Sequence, residues 1–285
     1  MTRPPVALKR RIASELRALR ERKGLTLEAA AQRAEVTKSS LSRFENGHSA
    51  PKIHTLRALM AVYGAPAQLR SELEDLTREA GRRGWRASLF GEGVIVPEWL
   101  RTYVGLEATA SALSIYSLFV PHLLQTADYA SATLAAEGHD PDTIVNRLQL
   151  LAARQQLLTG ADSSAAISVV VDESAICRQV GNRAVLREQI TALAAANERP
   201  NLSVRILPFV AGRTFAAAGG GFVTLELDPD PPLVFLETCE VAQFVEGETY
   251  VRRFREVFER LSEAALPPEE TSDFLVRVAK SLTDL

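Results

Sequence analysis

The stretch TLEAAAQRAEVTKSSLSRFENG, residues 26–47, decides how the first part of the chain folds. Thr26 and Thr37 each precede a short helical pattern, and threonine is a favoured N-cap residue. About three residues separate the two predicted helices, so the helices must cross steeply and closely. Such a crossing requires small side chains at the contact, which the sequence supplies as Ala30, Ala31 and Ala34.

The second of these helices turns polar side chains outward, and they are Lys38, Ser39, Ser42 and Arg43. Short serine side chains let a helix enter the major groove of DNA. Arg43 can bond the edge of a guanine, and Lys38 can bond a base or a phosphate. The pattern therefore predicts that this face reads bases.

Apolar residues at helical spacing predict further helices on both sides of this pair. One covers 8–23 and stops at Gly24, one follows Pro51, and one covers 66–80. The first 80 residues are therefore expected to form an all-α domain.

The charge of the chain is unevenly distributed. Residues 1–70 contain 14 Lys+Arg and 5 Asp+Glu, so the remaining residues carry 19 of the 33 basic and 30 of the 35 acidic side chains. A basic end on an acidic body indicates either a module that binds a polyanion or a solvated basic face.

Residues 25–47 resemble the helix-turn-helix of Cro/repressor-type regulators, the xenobiotic-response-element family. The resemblance rests on matching positions at Thr26, Glu28, Ala31, Val36, Ser42, Arg43, Glu45, Asn46 and Gly47. It implies that Lys38, Ser39 and Arg43 read bases. It also implies phosphate contacts from Thr26, Ser40, Asn46, His48 and Lys52, although His48 could equally be an exposed loop residue.

Two positions depart from that family pattern. Glu35 stands in the turn where the family usually has glycine, which predicts a strained backbone at a cost of about 1 kcal/mol. Leu27 stands where many relatives have a phosphate-binding glutamine, so the backbone amides near Thr26 are expected to contact phosphate instead.

The rest of the chain predicts a second domain. Glycines in the stretch 81–96 indicate a linker, and 97–158 is expected to be rich in helix. After Gly160, short β-branched runs predict four strands, with a helix over 183–196 and two helices at the end. The expected fold class is α+β: a helix-turn-helix domain over 1–80, then a helix-rich α/β domain over 97–285 with a mostly buried sheet.

This second part resembles the C-terminal domain of WhiJ-like, antitoxin-like regulators of actinomycetes. The strings that carry the resemblance include YVGLEATA at 103–110, VPHLLQTADYA at 120–130 and VVDESAICRQVG at 170–181. It implies a small partner protein encoded nearby. His122 departs from the family string, which commonly has glycine after the proline.

A ligand pocket or a partner groove is one interpretation of the apolar residues that follow position 118 and of the later glycine run. The candidate residues are Phe119, Leu123, Leu124, Gly220 and Phe222. The alternative is that the apolar residues pack in the core and the glycines form a loop before a strand.

The chain contains no phosphate loop, HExxH, paired CxxC or GxSxG motif, and its four histidines share no metal-ligand spacing. Asp172 and Glu173 are expected to cap a helix. Cys177 and Cys239 are expected to be reduced and buried. We therefore expect no catalysis, no cofactor and no metal. No apolar run spans a membrane, and a cytoplasmic location is expected.

These patterns predict a sequence-specific transcriptional regulator that binds a double-stranded DNA operator as a homodimer, because pairing lengthens a short site. The input through the second domain is a small partner protein or, alternatively, a small-molecule ligand. Two rival functions remain: an enzyme localised by its helix-turn-helix, and an interaction scaffold whose DNA-binding domain has lost affinity.

Overall fold

Residues 5–47, 49–80, 96–159, 165–212, 220–238 and 241–282 are described by a computed structural model of the chain. The described residues divide into two compact units, one before Ala110 and one from Ala110 onward. The predicted linker, 81–96, lies outside the described residues except for Val96. The predicted domain boundaries stay a prediction.

The first unit is entirely helical among its described residues. Its helices are α1 (Pro5–Arg22), α2 (Leu27–Arg33), α3 (Lys38–Glu45), α4 (Ile53–Tyr63), α5 (Ala67–Ala80) and α6 (Glu98–Glu107). One cluster of buried side chains joins the first five of them, and its most enclosed members are Ile12, Leu16, Ala30, Leu41, Leu56, Leu59, Met60 and Leu73. The sequence predicted the first five helices to within a few residues.

The second unit is built around a mixed sheet. Its strands are β1 (Ala112–Ser117), β2 (Ala166–Asp172), β3 (Leu202–Leu207), β4 (Phe222–Leu227), β5 (Asp230–Glu237) and β6 (Ala242–Val245). The strand order is β3-β2-β1-β4-β5-β6. The pairs β1–β2 and β2–β3 are parallel, whereas the pairs from β1–β4 to β5–β6 are antiparallel.

Six helices belong to this unit among its described residues. They are α7 (Ala127–Ala136), α8 (Pro141–Thr159), α9 (Ser174–Cys177), α10 (Arg183–Ala196), α11 (Glu248–Ala264) and α12 (Pro268–Ser281). Helix α11 crosses one face of the sheet, where Tyr116, Val170, Phe222 and Val234 pack against Val251 and Phe258. Alternate strand residues such as Ile115, Val169 and Leu225 are buried as well. Both faces are covered, so the predicted α+β class with a buried sheet is confirmed.

The outer edge of β3 is closed by side chains rather than by another strand. The Asn197 amide both accepts from Val204 N (2.6 Å) and donates to Val204 O (3.0 Å), as a neighbouring strand would. Further along the strand, Ile206 N donates to Thr271 Oγ1 and Ile206 O accepts from Leu266 N. An edge closed in this way offers few free groups for pairing with another chain.

Two strands were not predicted. The region 97–158 was expected to be helical, but after α6 the chain enters β1 at Ala112, because β2 and β4 pair with it on both sides. Strand β6 is only four residues long and pairs with β5 alone. Both segments owe their conformation to distant partners, which a local pattern does not contain.

Candidate nucleic-acid interface

The two helices of the turn, α2 and α3, are capped as the sequence predicted. Thr26 Oγ1 accepts from Ala29 N, and Thr37 Oγ1 accepts from Ser40 N, each at 3.1 Å. Each bond satisfies one of the amides left free at a helix start. The predicted small residues of the crossing are buried: Ala30, Ala31 and Ala34.

The turn between α2 and α3 contains backbone strain. Glu35 has φ 54°, and among the described residues it is the one non-glycine residue with positive φ. Val36 N returns to Ala31 O at 3.0 Å, which holds the chain in this tight conformation. The left-handed region is costly for a residue with a Cβ, so the strain expected from the absent glycine is confirmed.

Helix α3 presents the predicted base-reading residues on its outer surface. Lys38, Ser39 and Arg43 are exposed, and Ser42 is half-buried. Lys38 Nζ lies 3.5 Å from Glu28 Oε2, an ion pair in which both side chains are more than 60 % exposed (62 % and 78 %). Such an exposed pair is weak, so Lys38 can leave it to bind another anion.

The predicted phosphate contacts flank that surface. Thr26, Asn46 and Lys52 are exposed and Ser40 is half-buried, whereas His48 lies outside the described residues. Asn46 Nδ2 donates to Ser42 Oγ at 3.3 Å, so this candidate phosphate contact adjoins a candidate base reader. The Thr37 hydroxyl donates to Ser40 Oγ at 2.8 Å.

A buried ion pair that sequence reasoning missed fastens α3 to α1. Arg20 Nε and Nη2 donate to the Glu45 carboxylate, with Nε–Oε1 and Nη2–Oε2 both at 2.9 Å, and Arg20 Nη1 donates to Leu25 O at 2.8 Å. The side chains are only 11 % and 4 % exposed. Hydrogen bonding to Glu45 raises the pKa of Arg20 above its ordinary value. This two-pronged geometry sets the position of α3.

Tyr63 lies beside this pair. Its pKa is raised first by burial and then by the charge of Glu45. The signal for the pair in the sequence was two charged residues at positions adjoining the apolar stripes of α1 and α3. Their separation of 25 residues hid the pairing.

In the second unit, the predicted groove residues divide between surface and core. Phe119 is 62 % exposed, and Gly220 and Leu124 are half-buried, whereas Leu123 and Phe222 are buried. The structure brings Phe119 and Gly220 to one edge of the sheet, because β1 and β4 pair with Tyr116 opposite Phe222. Leu123 lies instead in the short helical turn His122–Leu124, and its carbonyl accepts from Gln155 of α8.

The acidic pair after β2 has structural hydrogen bonds. Asp172 Oδ1 accepts from Ser174 N, the first residue of α9, at 2.9 Å, as the capping prediction requires. Glu173 is the N-cap residue but makes no side-chain cap bond, and its Oε2 accepts from Phe209 N at 2.6 Å instead. Cys177 is a free thiol and is exposed, so its predicted burial is wrong. The reason is that α9 ends at Cys177 after one turn, with the apolar side chains Ala175 and Ile176 inside. Cys239 lies outside the described residues.

The described residues contain no group of three or more His, Cys, Asp or Glu side chains that could hold a metal ion. None of their helices is long and apolar enough to cross a membrane.

Comparison with known protein families gives two matches. Residues 11–73 match a family model described as a helix-turn-helix domain, which confirms the predicted motif and supports a DNA-binding regulator. Neither the curated proteins nor the solved structures contain a match to the chain. Residues 100–277 match the family model described as a domain of unknown function, DUF5753. Since this match covers more than half of the chain, the protein belongs to the DUF5753 family.

Proposed function

We propose that the protein is a sequence-specific transcriptional regulator that binds double-stranded DNA through α3. The observation that carries the proposal is the outer face of α3, where Lys38, Ser39 and Arg43 are exposed. The Arg20–Glu45 pair and the two threonine caps hold that face in place. A recognition helix needs such a fixed position, since bonds to base edges depend on geometry.

Base reading and phosphate binding fall to different residues in this proposal. Arg43 bonds the O6 and N7 atoms of a guanine, and Lys38 exchanges Glu28 for a base or a phosphate. Thr26, Asn46 and Lys52 contact the backbone on either side, with the free amides at the start of α2 replacing the absent glutamine at Leu27. The basic residues of this part of the chain support the phosphate contacts.

We also propose that the regulator acts as a homodimer and by binding rather than catalysis. One helix-turn-helix contacts only a few base pairs, and two-fold pairing doubles the site. The carboxylates of Asp172 and Glu173 already accept backbone amides, which suits a structural role.

The second unit is proposed to receive the signal. In the antitoxin-like version a small partner protein binds it, a proposal that rests on the WhiJ-like resemblance. In the alternative version a small molecule binds it. The exposed Phe119 offers an apolar contact after the end of β1 in either version.

The test is DNA binding by the full chain. A preferred site is first selected from random duplexes, and affinity is then measured by fluorescence anisotropy on the selected and on a scrambled duplex. Arg43→Ala is expected to cost about 1–3 kcal/mol on the selected site and little on the scrambled one. Lys52→Ala is expected to weaken both equally, because phosphate contacts carry no sequence information.

Arg57→Ala is the matched control, since Arg57 is an exposed arginine of the same unit that pairs with Glu74 on α5. Its removal should leave DNA affinity unchanged. Affinity for the selected site should also fall steeply between about 50 and 200 mM salt. A shallow salt dependence with no preferred site would refute DNA recognition, and equal losses from Arg43→Ala on both duplexes would refute base reading.

A further inference from the structure

The two edges of the sheet differ in whether their outward backbone groups have partners. At β3, the side chains of Asn197 and Thr271 and the amide of Leu266 bond the outward groups of Val204 and Ile206. At the opposite edge β6 pairs with β5 alone, and no hydrogen bond from any other described segment reaches residues 242–245. Among the described strands, β6 therefore forms the open edge of the sheet.

The register of the β5–β6 hairpin shows which backbone groups of β6 point outward. Thr238 N donates to Val241 O at 2.9 Å, so Val241 turns its backbone groups toward the chain of β5. The pairing then runs to the end of β6 without a register shift. Because successive residues of an antiparallel strand alternate in this direction, the N–H and C=O groups of Ala242 and Phe244 face away from β5.

The sequence and the pairing of β6 lack the features that commonly block an exposed edge. Those features include prolines, charged side chains and bulges. Residues 241–245, VAQFV, contain no proline and no charge, and their pairing with β5 has no bulge. Val241, just before the strand, is 63 % exposed, and Tyr250, in the first turn of α11 after it, is 62 % exposed. Large exposed apolar side chains on both sides of an open edge indicate a surface that another chain covers.

We propose that β6 pairs antiparallel with β6 of a second copy of the chain, so that the two sheets join across a two-fold axis. An open strand edge binds an extended segment through main-chain hydrogen bonds. The occupant is a second copy because residues 241–245 are complementary to themselves in this arrangement. The inference rests on the proposed function in one respect, since it names the interface of the proposed homodimer.

The direction of the backbone groups determines the register of this pairing. With the two-fold axis at Gln243, Ala242 lies opposite Phe244 of the partner subunit, and the two residues exchange N–H···O bonds in both directions. Val241 then lies opposite Val245 of the partner subunit, where apolar cross-strand contacts stabilise a sheet. No like charges oppose each other within this stretch. A two-fold axis at a neighbouring residue would leave one end of the stretch unpaired.

Oxidative cross-linking at the two-fold axis tests the register. Gln243→Cys is made in a full chain whose own cysteines, Cys177 and Cys239, are replaced by serine. The two introduced thiols would belong to Cα atoms about 4.5 Å apart, within the range of a disulfide. Mild oxidation is therefore expected to convert most of the chain to a covalent dimer.

Ala242→Cys in the same cysteine-free chain is the matched control for the cross-link. Its Cα would lie about 8 Å from its own counterpart, because the two are offset by two residues, and this is too far for a disulfide. It should form far less covalent dimer than Gln243→Cys. Equal cross-linking by the two variants, or none by Gln243→Cys, would overturn the proposed pairing.

Removal of an outward N–H tests the pairing independently of the register. Sedimentation of the full chain over a concentration series is expected to show a dimer. Ala242→Pro removes an N–H that β5 does not use, so it should weaken the dimer by at least about tenfold. Its thermal unfolding temperature, measured on dilute monomer, should stay unchanged. Ala242→Ser keeps the N–H and is the control.

Three results of the sedimentation and unfolding measurements would contradict the pairing. A chain that stays monomeric up to about 100 µM has no such interface. Unchanged dimer affinity in Ala242→Pro would place the interface elsewhere. A lower unfolding temperature in Ala242→Pro would show that this N–H serves β5 and does not face outward.

DNA anisotropy on the same samples separates the edge pairing from DNA recognition. A dimer that binds no preferred duplex would refute the regulator and leave the edge pairing standing. DNA binding by a monomeric chain, or by a dimer that survives Ala242→Pro, would refute the edge pairing and leave DNA recognition standing.

Discussion

The outer face of α3 differs in charge from the end of the sheet at which β1, β2 and β3 terminate. Different interactions also stabilise the two regions. The α3 face exposes cations, and a buried ion pair, Arg20–Glu45, fastens its helix to α1. That end of the sheet carries two half-buried carboxylates, Asp172 and Glu173, and the exposed aromatic rings of Phe119 and Phe209. The outer edge of β3 is stabilised by a neutral side chain, the amide of Asn197, which bonds both the N–H and the C=O of Val204.

The charged pair and the neutral amide differ in how much stability is lost when one partner is removed. A buried charge that loses its partner is not solvated by water. Removal of one member of a buried ion pair therefore destabilises the fold more than replacement of both members by apolar residues. A neutral amide has a smaller desolvation cost, so the loss of one is tolerated better. We therefore expect the α3 face to be more sensitive to single substitutions than the sheet.

The largest expected effect comes from Glu45→Ala. It leaves Arg20 buried without its carboxylate and should destabilise the first unit by about 3 kcal/mol. Hydrogen exchange of α1 and α3 amides measures this loss within one unit of the chain. Arg57→Ala breaks an ion pair with Glu74 whose arginine is 61 % exposed, and it should change protection far less. Similar losses of protection in both variants would show that the buried pair contributes no more to stability than the exposed pair.

The next effect is expected from Asn197→Ala. It leaves the amide and the carbonyl of Val204 without their side-chain partner, which should cost about 2 kcal/mol of stability in the second unit. Asn182→Ala is the comparison, since Asn182 accepts one bond, from Val185 N at 3.0 Å, at the exposed start of α10. That cap should be worth about 1 kcal/mol. Exchange of β3 amides that is no faster in Asn197→Ala would contradict the role of the amide in closing this edge.

Relief of strain in the turn gives a smaller effect of opposite sign. Glu35→Gly removes roughly 1–2 kcal/mol of left-handed strain and adds about 0.5–1 kcal/mol of unfolded-chain entropy, so a net stabilisation of about 0.5–1 kcal/mol is expected. Glu28→Gly makes the same change at a helical position of α2 and should destabilise. The unfolding midpoint of the first unit in urea should therefore rise in one variant and fall in the other. Two changes of the same sign would count against strain at Glu35.

The smallest expected effect is on the alkylation rate of Cys177, and it tests the negative charge near the end of β2. Although Cys177 is exposed, partial desolvation of its thiol and then the charges of Glu173 and Asp172 raise its pKa. Less thiolate is therefore present near pH 7.5, and alkylation should be slower than for a free cysteine. Asp172→Asn lowers the pKa towards its usual value and should speed the reaction a few-fold. Iodoacetamide labelling followed by peptide mass spectrometry gives the rate at this site. An unchanged rate in Asp172→Asn would show that the carboxylate does not act on the thiol.

Sequence reasoning located the helix-turn-helix and its exposed residues because that motif is built from local rules. Caps at Thr26 and Thr37, alanines at the crossing and the strained Glu35 all depend on neighbours within about five residues. The same reasoning missed β1 and β6, whose conformations depend on pairing with distant strands. The assignment of Lys38, Ser39 and Arg43 to bases stays a prediction.

Short-range patterns of side chains are enough to predict the first five helices, the caps, the turn and the polar outer face of α3. Long-range contacts determine that Arg20 pairs with Glu45 and that Asn197 closes the edge of β3. They also determine that Phe119 is exposed while Leu123 and Phe222 are buried. These outcomes depend on which distant segments share a hydrogen bond or a core. A pair 25 residues apart has no periodic signature, and it forms only when the helices between its members bring it together.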